Sequence, residues 1–378
     1  MKVAEKKVEQ IELFYDLIYV YAISKLTLLI EEPVAGVIPL PNFISYIVAC
    51  LVVLQSWLYL TNYVNRYGSW TWYEYLLTAV NMVAAVYTAN TISPQWDEMS
   101  LAFNISMLVM LVCVAAQYLI QVRLKAKDTA AAKNSLTILS VVCALYLVAS
   151  ILSAIGGGEA VIWLDIAAVL AGAFLPFFIR GHFDISIINF PHLVERFGLL
   201  VIVTFGEAVV GIAGFFDTEH MTLQPIFAFA LILTLFACYE TQLHRLGDRD
   251  RSERALRLMF SHYFIVIAIN LITVALTFLR TPTANRLFTA FLMTGSLALF
   301  FVSIFANSAY YKKGYRFQWS DAFLALCSLL VGAAIMCAAG ANNLLFLMGT
   351  LVASLGVLAM LQWKLRHPDK SKTIKEQI

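Results

Sequence analysis

Charge is what this sequence has least of. Charged residues make up 13% of its 378 positions while hydrophobic ones make up 61%, against roughly a quarter charged in soluble domains. A soluble fold cannot hide so much apolar side chain inside itself, whereas a bilayer can solvate it from outside. Catalytic motifs are missing as well. There is no phosphate-binding loop, dinucleotide fingerprint, HExxH or GxSxG. The six histidines are too few in opposed positions for a typical multi-haem bundle. The six cysteines (Cys50, Cys113, Cys143, Cys238, Cys327, Cys337) all fall in apolar stretches without metal-ligand spacing and are expected to pack as reduced thiols. No cofactor is expected. Long polar linkers and low-complexity segments are absent too, which leaves no room for a sizeable soluble domain. No cleavable signal peptide is expected, because acids interleave with the N-terminal lysines and no small-residue cleavage site follows the first apolar run.

What is present is a series of long apolar runs. Each is near the roughly 20 residues that cross a bilayer. They lie near 11–30, 42–62, 72–93, 100–122, 134–153, 159–179, 197–215, 223–243, 257–278, 286–309, 320–339 and 342–363. The expected fold class is an all-α polytopic membrane protein of about twelve transmembrane helices. Basic residues fix the orientation. Of the 26 Lys and Arg residues, all but Lys25, Arg280 and Arg286 fall on the side of the N-terminus. That set includes Lys2, Arg66, Lys127, Arg180, Arg245–Arg257, Lys312 and Lys370, Lys372 and Lys375. The opposite side carries acids such as Glu31, Asp97, Glu159, Asp217 and Glu219. Both termini are therefore expected in the cytoplasm, in a cell inner membrane. Topology and anionic lipid account for the basic loop Arg245–Arg257 without nucleic acid.

An offset of 183 residues carries each span of the first half onto one of the second. IELFYDLIYV from Ile11 then aligns with VERFGLLVIV from Val194, so that Glu12 meets Glu195 and Phe14 meets Phe197. The expected organisation is two parallel six-helix repeats, 1–180 and 181–378, related by an axis along the membrane normal.

Charges within spans are costly, by roughly 2.5–3.5 kcal/mol each on insertion scales, and ask for partners or a water path. Glu12 and Asp16 are four apart on one helical face, with Tyr15 and Tyr19 beside them. They read as a cation or proton site, or as interface anchors paired with loop arginines. His192, Glu195 and Arg196 stand at the entrance to the seventh span, with the spacing to meet on one face. Gly206 and Glu207 follow about midway, Glu207 with no base within reach on its own helix. Lys25 is a candidate partner, and Gly206, Gly211 and Gly214 permit close helix approach. Lesser candidates are Asp165 near Trp163, the Glu240–Arg245 cluster, which also reads as helix capping, His262, and Asn62, Asn81 and Asn270 as interhelical glue.

Two of these stretches resemble a known family. VEQIELFYDLIYVYAISKLT resembles the first helix of the bacterial low temperature requirement A proteins. PHLVERFGLLVIVTFGEAVVGI resembles their second signature, H-x-x-ERFGL followed by GE, through His192, Glu195, Arg196, Gly206 and Glu207. WLYLTNYVNRY adds Trp57, Thr61 and Arg66, and Tyr15 replaces the more usual phenylalanine. The resemblance implies a multi-spanning bacterial membrane protein linked by name to growth in the cold; it gives no substrate. Three functions remain open: a secondary transporter or ion-conducting protein acting on an unidentified small molecule or ion, a non-catalytic envelope protein, and an intramembrane enzyme acting on lipid. The first is expected, with Glu12, Asp16, His192, Glu195, Arg196 and Glu207 as the binding or proton-coupling residues.

Overall fold

The computed structural model describes residues 6–368, apart from 94, 126–127, 159, 179–186, 217–221, 250 and 252. Of the charged residues singled out above, Lys2, Lys127, Glu159, Arg180, Asp217, Glu219, Lys370, Lys372 and Lys375 lie outside the described residues. Among these residues twelve α-helices appear: α1 (Gln10–Lys25), α2 (Leu40–Tyr67), α3 (Trp72–Asn90), α4 (Trp96–Arg123), α5 (Thr129–Ala154) and α6 (Ala160–Phe178), then α7 (Phe190–Gly211), α8 (Gln224–Glu240), α9 (Leu256–Arg280), α10 (Arg286–Ala306), α11 (Trp319–Ala338) and α12 (Asn343–Arg366). Among the described residues no β-strand forms. Each expected span coincides with one helix, and among the described residues nine helices are long and apolar enough to cross a membrane. The other three are α1, α3 and α6. α1 has 16 residues, about 24 Å at 1.5 Å per residue, and continues through a 3₁₀ turn at Leu26–Leu29. α6 carries Pro176 within its last turn. The chain is a multi-pass membrane protein.

Local sequence starts and stops these helices. Asp128 accepts from the Ala131 N–H at the start of α5, and Asn285 and Asn342 cap α10 and α12 in the same way. Thr71 and Glu74 form a reciprocal capping box on α3. α8 runs on into a π-helical segment, Thr241–Leu246. The exposed tryptophans Trp72, Trp163, Trp319 and Trp363 all lie near helix ends, where an amphipathic ring suits the membrane interface. Outward faces such as Phe323, Leu326 and Leu330 of α11 are apolar, as lipid contact requires.

The chain divides into two compact units. The first comprises Met1–Glu32, Pro39–Leu199 and Ser252–Arg254; the second comprises Pro33–Ile38, Leu200–Arg251 and Ala255–Ile378. In the first, α1 packs on α2 and α3, α2 on α4 and α6, and α3, α4, α5 and α6 pack in succession. A buried polar node ties four of these helices. The Tyr19 hydroxyl of α1 donates to Asn81 Oδ1 of α3 at 2.7 Å and lies 3.0 Å from Ser56 Oγ of α2, and Asn81 Nδ2 donates to the Met110 carbonyl of α4 at 2.9 Å. Asn81 is thus the interhelical glue expected of it.

In the second unit, α9 packs on α10, α10 on α11, α11 on α12, and α12 on α8. The α11–α12 hairpin turns at Gly340, whose φ of +53° is left-handed. Its helices touch backbone to backbone, since a Cβ on Gly332 would sit 2.5 Å from the Gly349 carbonyl oxygen. A buried ion pair, Lys364 Nζ to Asp321 Oδ2 at 2.5 Å, closes the other end of the hairpin. His262 is a satisfied core histidine. Its Nδ1 donates to the Leu258 carbonyl at 2.7 Å and its Nε2 accepts from the Tyr239 hydroxyl at 2.9 Å. Of the cysteines, Cys50, Cys113 and Cys238 are buried and Cys337 is exposed.

Candidate functional site

The first unit buries a charged cluster built by α1, α2 and the first turns of α7. α7 starts seven residues before the expected span, because Asn189 caps it by accepting from the His192 N–H at 3.1 Å. His192 and Arg196 therefore sit inside the helix, four residues apart on one face. That face meets the Glu12–Asp16 face of α1. Arg196 Nη2 donates to Asp16 Oδ1 at 2.5 Å and Nε to Asp16 Oδ2 at 3.2 Å, a two-pronged clasp. Its remaining Nη1 donates to Glu12 Oε2. Glu12, Asp16, His192 and Arg196 are each no more than 1% exposed.

Neighbouring groups fix this arrangement. Trp57 Nε1 on α2 donates to Asp16 Oδ1 at 2.7 Å. Its ring lies 5.7 Å from the Arg196 guanidinium carbon and 5.0 Å, edge-on, from Phe197. The Glu9 backbone N–H donates to Glu12 Oε1 at 3.2 Å, so one carboxylate both caps α1 and binds arginine. His192 Nε2 lies 3.2 Å from Glu12 Oε2, within ion-pair distance but off the hydrogen-bond line. The tautomer of His192 follows from Asn65. Asn65 Oδ1 accepts from the Asn189 N–H at 3.1 Å, which orients the amide. Its Nδ2 then donates to the Asn189 carbonyl at 2.8 Å and to His192 Nδ1 at 3.1 Å. Nδ1 is an acceptor, and the ring proton sits on Nε2, facing Glu12.

Lys6, ahead of α1, donates to the Val64 and Gly68 carbonyls at the C-terminus of α2. Burial pushes its ammonium below the ordinary lysine range, and the nearby Glu12 and Glu74 carboxylates oppose that shift.

Not every expected residue joins the cluster. Glu195 is exposed. One residue is 100° of helix, so turning His192 and Arg196 inward swings Glu195 outward, where an acid near a helix N-terminus is favourable. The expectation that it meets His192 and Arg196 on one face is corrected. Glu207 lies on the part of α7 that belongs to the second unit. It is half-buried beside exposed Gly206, Val209 and Val210, with no hydrogen bond or ion pair to any described residue. The close approach expected around it is found at Gly211, against Thr273, and at Gly214, against Arg280, but not at Gly206. The Lys25 ammonium rests 5.7 Å from the Tyr21 ring centroid.

Asn65 and Asn189 escaped the sequence reading, since asparagines near span ends carry no distinguishing pattern. Trp57 stood only within a family-like stretch. Trp57→Phe keeps the ring on Phe197 but removes the donor to Asp16. It is expected to cost about 2 kcal/mol, the worth of a hydrogen bond to a charged group, measured by chemical unfolding in mild detergent. An unchanged midpoint would show that the indole N–H carries no such load.

Residues 7–359 match the family model described as Bacterial low temperature requirement A protein (LtrA). The chain belongs to this family. No curated protein matches it significantly.

Proposed function

We propose that this member of the low temperature requirement A family is a secondary transporter or ion-conducting protein of the bacterial inner membrane, with proton-titratable carboxylates and no enzymatic activity. One observation carries the reading. Two buried acids, Glu12 and Asp16, meet a single guanidinium, and the nearby Lys6 ammonium is bonded to the Val64 and Gly68 carbonyls rather than to either acid, so full ionisation leaves an incompletely compensated negative charge in a poorly solvated place. Such a charge invites an exchangeable proton or cation. In this proposal Arg196 holds Asp16 permanently, while Glu12, facing the His192 Nε2–H, exchanges the proton. Glu207, half-buried and without a partner among the described residues, is the second exchange point, and Glu195 guides cations at the surface. The partners are the lipid bilayer and a small molecule or ion.

The proposed architecture is twelve spans as two parallel six-helix repeats, 1–180 and 181–378, with both termini cytoplasmic. It is supported by helix order: α6 starts at Ala160 and α12 at Asn343, an offset of 183. It is also supported by matching neighbours, since α2 packs on α6 as α8 packs on α12, and α3 on α4 as α9 on α10. Reporter fusions at Lys370 and within Arg245–Arg257 are expected to read cytoplasmic; an external signal at either overturns the orientation.

The functional test is uptake by proteoliposomes across a substrate panel, with and without a pH gradient. Gradient-driven uptake is expected in the wild type. Glu207→Gln keeps the shape without the charge and is expected to lower that uptake at least about tenfold, or 1.4 kcal/mol in barrier, with insertion unchanged. Full activity in this variant would remove Glu207 from the mechanism.

The closure around Asp16 favours a second reading. Both of its oxygens are engaged by Arg196 and Trp57, as expected of a structural lock between α1 and α7 in a non-catalytic envelope protein. Wild-type vesicles inert to every gradient would favour that reading.

A further inference from the structure

In the second unit, the loop after α8 and the loop before α11 are bonded into one surface. The Asp248 N–H donates to the Tyr310 carbonyl at 2.7 Å and the Lys312 N–H to the Leu246 carbonyl at 2.8 Å. Between them lies an antiparallel bridge of Gly247 with Tyr311. Side chains reinforce the seam. Lys312 Nζ donates to the Arg245 carbonyl at 2.9 Å, and Arg251 donates to the Ala309 and Tyr311 carbonyls at 2.9 and 3.1 Å. The joined segments, 245–251 and 312–316, carry six bases against two acids, Asp248 and Asp250. Asp248 lies 3.4 Å from Arg251 Nε. Arg245, Lys312, Lys313 and Arg316 are exposed. Like charges held together by backbone bonds raise the local potential and attract an anion.

The neighbours of these bases select the kind of anion. Phe317 packs on Phe305 of α10, with ring centroids 4.8 Å apart, and fixes the chain between Arg316 and Trp319. Trp319 opens α11 and is 92% exposed. The Gln318–Asp321 capping box and the Lys364–Asp321 ion pair hold that first turn in place. Phe323, four residues on and so on the same helical face, is exposed too, and Leu326 and Leu330 continue the apolar surface. Only 22% of the apolar stretch of α11 is buried, against 50% in each of α10 and α12. An anion bound at the bases therefore has an apolar face running away from it into the membrane. That face suits acyl chains, and an exposed tryptophan suits the level of the headgroups. A soluble acidic peptide or a nucleic acid would leave it uncovered.

We propose that Arg245, Lys313, Arg316 and Trp319 form a binding site for an anionic phospholipid of the membrane, with its headgroup on the three bases and its acyl chains along the Trp319–Phe323 face of α11. Basic residues beside a span attract anionic lipid, each strengthening binding about fivefold. The bonded loops fix the bases before the lipid arrives, so little ordering is left to oppose binding. The site lies wholly within the second unit. It does not depend on the transport reading or on which side of the membrane this end faces.

The test places the full chain in phosphatidylcholine vesicles doped with phosphatidylglycerol brominated on its acyl chains, which quenches tryptophan on contact. Brominated phosphatidylethanolamine is the zwitterionic control, and Trp319→Phe isolates the signal of Trp319. In the wild type, phosphatidylglycerol is expected to quench Trp319 at a lower mole fraction than phosphatidylethanolamine does. Lys313→Gln with Arg316→Gln is expected to weaken phosphatidylglycerol binding about 25-fold, from about fivefold per base, and so to erase the preference. Arg245→Gln leaves the carbonyl that accepts from Lys312 and is expected to weaken binding about fivefold. Equal quenching by the two lipids in the wild type overturns the proposal. So does a preference that survives in the folded double variant. Inorganic phosphate, added at an ionic strength matched with chloride, is expected to leave the preference intact; its loss would assign the bases to a free anion and overturn the lipid site. Should the double variant fail to fold, the wild-type comparison and Arg245→Gln decide the matter.

Discussion

Arg196→Ala is expected to lower stability by about 3–5 kcal/mol, the cost of breaking a buried pair and stranding its partner. Two acids rather than one lose their counter-charge here, since the guanidinium bonds to Asp16 through Nη2 and Nε and to Glu12 through Nη1. Inserted protein should fall steeply, and the surviving fraction should unfold at lower denaturant. Arg196→Lys keeps the charge but not the fork, and a point charge cannot serve both oxygens of Asp16 and Glu12 together. It is expected to recover only part of the loss. The diagnostic variant is Arg196→Ala with Asp16→Asn. Removing the stranded charge should restore stability relative to Arg196→Ala alone, and no restoration would show that Arg196 acts through packing on Trp57 instead.

The second large effect is expected in the second unit. Lys364→Ala removes the only cation paired with Asp321 among the described residues, in a pair whose side chains are 8% and 5% exposed. The expected loss is about 3 kcal/mol, at the lower end for a buried pair, because Asp321 Oδ2 also accepts from the Gln318 N–H at 2.8 Å and keeps that partner. Asp321→Asn on top of Lys364→Ala should recover most of it. The readout is the unfolding midpoint of the purified protein. A single variant as stable as the wild type would mean that this end of the α11–α12 hairpin is solvated well enough to need no pair.

These expectations differ in how far they were legible beforehand. Span positions were visible because apolar length is a local property: the run near 257–278 became α9, Leu256–Arg280, and the run near 42–62 became α2, Leu40–Tyr67. Glu12 with Asp16, and His192 with Arg196, were visible as i,i+4 pairs, since helical spacing fixes which residues share a face. Glu195 was misplaced for a related reason. Spacing says which residues lie close on a helix but not which direction faces the protein, and α7 turns its His192–Arg196 face inward. Asp165 ranked low because one acid beside a tryptophan looks like an interface marker. Only its burial, with neither oxygen partnered among the described residues, distinguishes it.

By itself, the sequence determined the all-helical, multi-pass character of the protein, the positions of its helices and the residue types available within them. Those properties follow from hydropathy, capping chemistry and the 3.6-residue period, all of which act between near neighbours. Tertiary structure decided the partnerships. It placed Arg196 between two acids 180 and 184 positions away, set Asn65 to fix the tautomer of His192, and buried Asp165 with neither oxygen hydrogen-bonded to a described residue. A charge in a low-dielectric interior is governed by whatever stands within a few ångströms, and in a folded chain those neighbours come from helices that the linear order keeps far apart.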